Sequence, residues 1–88
     1  MRYRADPPAM LIAKDLDAFT AVFHRPSGTT HLLASPAPEI LQVLGREALT
    51  LPVLLERLAA EYALVDADAA VLAARVGELV EAGLVQVL

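Results

Sequence analysis

The sequence predicts an α+β domain, a three-stranded antiparallel meander followed by three helices (βββααα), with a short strand after the last helix. Three observations predict it. Between residues 10 and 34, short runs rich in β-branched and aromatic residues alternate with turn formers. From residue 36 the apolar residues recur at three and four, the repeat of one helix face. The composition, 57% hydrophobic with two Phe, two Tyr and no Trp, describes an aliphatic core. A chain of 88 residues has room for one such core and one domain.

Each element has its own reason. Residues 1–9 carry the Pro7-Pro8 pair and read as a stiff, extended lead-in to a domain over 10–88. "MLIAK" (10–14) follows that pair, is too short for a helix and reads as the first strand, with "DLD" (15–17) as its turn. "AFTAVFHR" (18–25) is the second strand, with Phe19, Ala21 and Phe23 on one face and Thr20, Val22 and His24 on the other. In "RPSGT", Pro26 presets φ for the second turn position and Gly28 supplies the positive φ of a hairpin exit. "TTHLLA" (29–34) is the third strand.

Ala37, Ile40, Leu41, Leu44 and Ala48 then fall on one helical face, with Pro36 and Pro38 confined to the first turn and Gly45 near the end. Thr50 is an N-cap for a second helix that has Pro52 in its first turn. This helix buries Leu51, Leu54, Leu55, Leu58 and Tyr62 and shows Glu56, Arg57 and Glu61 to water. Asp66 or Asp68 caps the third helix, Gly83 is its C′ residue, and "LVQVL" (84–88) is a short strand or extended tail. Ala69, Leu72, Val76, Leu79 and Val80 make the core stripe of this third helix. Beside them runs a second stripe of small residues, Ala70, Ala73, Ala74 and Gly77. Glycine in a helix interior costs about 1 kcal/mol relative to alanine, so Gly77 needs a reason. Either the stripe packs closely inside the domain, or it floors a groove for another chain.

Charge and chemistry narrow the function. Seven basic against eleven acidic residues give a net charge of −4, with no basic stripe to neutralise phosphates. From Asp66 to Glu81 the third helix carries four acids and one Arg, a face that a polyanion repels. Nucleic acid is therefore not an expected partner, and a winged-helix DNA-binding regulator is the weaker alternative. With no cysteine and no apolar run long enough for a signal peptide or membrane helix, a cytoplasmic protein without a membrane partner is expected. His24 and His31 are the only imidazoles. If Arg25 pairs near Thr29, they fall on opposite faces of the hairpin as surface or rim residues, a poor geometry for chelation. Ser27 and Ser35 lack a G-x-S-x-G elbow and have ordinary places in a turn and at a helix start. "PSGTT" lacks the lysine of a phosphate loop. No catalytic residue, metal or cofactor is expected, and the protein is not expected to be an enzyme. "TTHLL", by contrast, has no Lys, Pro or inward charge to blunt a sheet edge. An extended peptide can pair there as a further strand.

From Met10 to Val87 the chain resembles the PqqD-like peptide chaperones, the stand-alone form of the RiPP precursor recognition element. The resemblance rests on the hairpin ending at Leu33, on "APEIL" (37–41), on "LLERLAAEYAL" (54–64) and on "DAAVLAARVGELVEAGLV" (68–85). "FHRPSGTTHLL" is more similar to the branch associated with HPr-kinase-related proteins. The chain departs from the family pattern at Ala34, where members often carry Asn, and at Pro36 and Pro38. The resemblance implies a winged-helix-like, non-catalytic domain that captures the leader segment of a precursor peptide and presents it to a modifying enzyme or HPr-kinase-related protein. Carried onto this chain, it implies a pairing edge at Thr29, Thr30, His31, Leu32 and Leu33. The floor would be the Ala70, Ala73, Ala74 and Gly77 stripe, with Val71 and Arg75 at its rim. A structural subunit that forms a homodimer through the sheet is the main alternative.

Overall fold

The computed structural model describes residues 1–62 and 68–88. The meander is present: β2 (Leu11–Leu16), β3 (Phe19–His24) and β4 (Thr29–Leu33) form an antiparallel sheet in the order β2-β3-β4. Helices α1 (Ala37–Arg46), α2 (Leu51–Tyr62) and α3 (Ala69–Glu81) follow, and the chain ends in the strand β5 (Val85–Val87). The first meander strand runs to Leu16, two residues into the expected turn, because the reversal is made at Asp17, whose φ is +49°. Aspartate tolerates this left-handed conformation better than most side chains.

The lead-in is extended, and part of it is a strand. β1 (Tyr3–Ala5) pairs antiparallel with β5, Tyr3 opposite Val87 and Ala5 opposite Val85. Tyr3 also exchanges backbone hydrogen bonds with Leu49, and Ala5 is buried. A single 3-10 turn over Pro8–Met10 then delivers the chain to β2.

The helices bury most of what their spacing marks; Ala48 lies beyond the end of α1 and is half-buried, as are Leu51, Leu55 and Tyr62 of α2. Ile40 and Leu44 of α1, Leu54 and Leu58 of α2, and Leu84 after α3 have almost no exposed surface. Leu72, Val76 and Leu79 join them from α3, with Val80 half-buried. Ala69 does not join: it is exposed, because the buried side of α3 is narrower than the expected stripe. Asp68 is the N-cap, its carboxylate accepting the Ala70 N–H at 2.8 Å. Asp66, the other candidate cap, lies outside the described residues. At the far end Gly83, with φ +80°, closes a Schellman motif. Its N–H reaches the Val80 carbonyl, and that of Leu84 reaches Leu79.

The sheet turns its more polar face to the helices. Leu11, Ala13 and Asp15, Thr20, Val22 and His24, and Thr29, His31 and Leu33 share the inner side, where Val22 and His24 are buried. The aromatic face points away from the core and carries Ile12 (50% exposed), Phe19 (52%) and Leu32 (67%), together with Leu16.

Candidate functional site

β4 is an edge strand, and the parity of its backbone can be worked out. Arg25 donates its N–H to the Met10 carbonyl on the β2 side of β3 (2.9 Å). By alternation His24, Val22 and Thr20 direct their backbone groups to β4, where Thr29, His31 and Leu33 are their partners. Thr30 and Leu32 therefore hold their N–H and C=O groups outward. Among the described residues no backbone group pairs with them.

The other expected residues lie on α3. Ala70, Val71, Ala73, Ala74, Arg75 and Gly77 are all exposed. A Cβ built on Gly77 would meet no atom within 4 Å, so close packing inside the domain is not the reason for this glycine. The Arg75 guanidinium is paired with Glu78 at 2.9 Å, one turn along the same helix. Neither the pocket of about 570 Å³ nor that of about 430 Å³ is lined by a residue of the β4 set or of the α3 set.

The two histidines differ from expectation. The hairpin register places His24 opposite Thr29 and His31 opposite Val22, one residue away from the expected pairing, so both rings lie on the inner face. The shift follows from the four-residue turn 25–28, in which Gly28, with φ +70°, returns its N–H to the His24 carbonyl. His24 is 7% exposed and is a buried polar residue rather than a rim residue. Its Nε2–H donates to the Asp6 carboxylate at 2.5 Å, since a carboxylate there can only accept, and its Nδ1 meets Ser27 Oγ at 2.7 Å. Ser27 Oγ continues to Thr29 Oγ1 at 2.7 Å, which meets His31 Nε2 at 3.1 Å.

This polar chain, from Asp6 through His24 and Ser27 to Thr29 and His31, escaped the sequence reading because Asp6 lies 18 residues before His24. A carboxylate, an imidazole and a hydroxyl in series are the parts of an activated serine. Here the Gly28 N–H is bonded to His24 O and the Thr29 N–H to Ser27 Oγ. The polar chain ties Asp6, after β1, to the turn from which β4 emerges.

The pocket of about 570 Å³ lies on the inner side of the sheet and is lined in part by Asp6 of this polar chain. Its walls come from the inner faces of β2 and β3, from α1, and from Tyr62 at the end of α2. Among the described residues no three His, Asp or Glu side chains group at metal-binding spacing. No helix is long and apolar enough to cross a membrane. No protein-family model matches the chain, and neither a curated protein nor a solved structure matches it.

Proposed function

We propose that this protein is a peptide-binding chaperone, one that captures an extended segment, the leader of a precursor peptide, by adding it as a strand on β4. The partner downstream is the enzyme that modifies the precursor. The observation that carries this reading is the open backbone of Thr30 and Leu32 on a strand without Lys or Pro. The exposed small residues of α3 support it, since a glycine whose added Cβ would meet no atom gives up helix stability without a packing gain within the domain. The resemblance to the PqqD-like chaperones supplies the identity of the ligand class. The test is a fluorescence-polarisation titration with leader-length peptides from short reading frames near the gene, with duplex DNA as control. Saturable peptide binding that shifts amide resonances of residues 29–33 and 70–77 is expected. Absence of peptide binding refutes the reading.

A second reading has its own observation. The outer sheet face leaves Ile12, Leu16, Phe19 and Leu32 together in solvent. Exposed apolar side chains gathered on one face suit an interaction surface. A dimerising structural subunit would use that face. Sedimentation of the wild type and of Phe19→Lys separates the readings: only a dimer on this face dissociates in the variant.

A further inference from the structure

β4 is one edge of the sheet, and β2 is the other. Because Arg25 donates toward β2, the residues of β2 that bond to β3 are Ile12, Lys14 and Leu16. Leu11, Ala13 and Asp15 therefore hold their N–H and C=O groups outward, and no backbone group among the described residues pairs with them. The same three residues line the 570 Å³ pocket, whose floor is apolar: Leu11, Ala13, Val22 and Leu41. The open backbone and the open cavity are thus two sides of one strand.

Charge says what would lie there. Asp15 and Glu39 stand at the pocket, each with one hydroxyl donor, Thr20 Oγ1 and Ser35 Oγ respectively. Among the described residues neither is paired with a Lys, Arg or His, and no basic side chain lines the pocket. Asp6, the third carboxylate, is already held by His24. Lys14, the one cation of β2, points to the outer face.

We propose that the β2 edge and its pocket bind a second extended segment, one with an Arg or Lys followed at two-residue spacing by apolar side chains. Residues of an added strand opposite Leu11, Ala13 and Asp15 put their side chains on the inner face, roughly 7 Å apart. The cation then falls at Asp15, toward Glu39, and the apolar side chains fall beside Ala13 and Leu11 at the mouth of the pocket. This edge is independent of the β4 docking strand, and the molecule can hold two segments at once.

The test uses the peptide acetyl-Thr-Arg-Thr-Val-Thr-Val-amide and its citrulline analogue, which keeps the shape and removes the charge. Titrated into the 15N-labelled protein, the arginine peptide is expected to shift residues 11–15, 20, 22 and 41–42. It should bind about tenfold more tightly than the citrulline peptide, the size of a charge-assisted hydrogen bond. That gap is expected to close in the Asp15→Asn/Glu39→Gln double variant, whose changes are isosteric. Ala13→Pro, which removes an outward N–H, should weaken binding roughly 5–150-fold, whereas Leu32→Pro should leave it intact. Equal affinity of the two peptides, shifts confined to 29–33, or a dimer of the protein that Ala13→Pro dissociates would each overturn the proposal.

Discussion

Replacing Gly77 by alanine and by glutamine separates the two reasons a small stripe can have. Gly77 lies inside α3, its φ is not in the left-handed region, and an added Cβ meets no atom within 4 Å. Alanine there gains about 0.8–1.0 kcal/mol of helix propensity with no steric cost. For a domain of this size that raises Tm by about 4–8 °C. Were the stripe packed against another element, the added methyl would instead cost about 1–3 kcal/mol. The sign of the change in Tm is therefore the result. Gly77→Gln should fold at least as well as wild type, since its side chain also enters open space. If a peptide backbone lies on the stripe, however, glutamine should weaken leader binding about tenfold or more, or about 1.4 kcal/mol. Differential scanning fluorimetry and polarisation titration on the same three proteins make the comparison. A lower Tm for Gly77→Ala would refute the open-face argument. Unchanged peptide affinity for Gly77→Gln would remove α3 from the docking site.

Leu32→Pro removes one outward donor and leaves the β3–β4 ladder whole, so peptide affinity should fall roughly 5–150-fold, or about 1–3 kcal/mol, with little change in Tm. His31→Pro removes an inward donor and should lower Tm, which checks the parity of the strand. His24→Ala leaves Asp6 and Ser27 without their buried partner and should destabilise by about 1–3 kcal/mol, measured by urea unfolding. Faster amide exchange at residues 27–31 should accompany it. Asp68→Ala removes the cap of α3 and should cost about 1 kcal/mol in the same assay.

The order of elements was legible because hydrophobic spacing carries it. The change of period at residue 36 and the stop at Gly83 are local signals, and each stands where the structure has it; the spacing left the cap open between Asp66 and Asp68, and Asp68 fills it. What was not legible depends on partners distant in sequence. Tyr3–Ala5 contains too few apolar residues to announce a strand, and becomes one because Val85–Val87 lies beside it. The register of the β3–β4 hairpin turned on how many residues the turn holds, and one residue decides which face His31 occupies. Within the candidate site, the bare edge of β4 was readable from its residue types. The openness of the α3 stripe was not, because alanine and glycine suit a tight interface and an empty surface equally well. Nor did side-chain type reveal the sheet's orientation: Phe19 and Leu32 face water while Thr20 and His24 face the helices.

The pairing of β1 with β5 makes the two chain ends neighbours, with the Leu88 N–H bonded to the Arg2 carbonyl at 2.8 Å. A force applied across those ends meets the pair end-on, so its hydrogen bonds open one after another rather than together. Such a geometry yields at low tension. Once Tyr3–Ala5 has peeled away, the next residue under load is Asp6, whose carboxylate holds His24 beneath the β3–β4 turn. Tension on the ends is then carried to the anchor of β4 on one side and, through Leu84, to the end of α3 on the other. A force–extension trace should show a small early rip ahead of the main unfolding event, and Asp6→Asn should weaken the step that follows it. A trace with a single rip would mean that the ends and the core come apart as one unit.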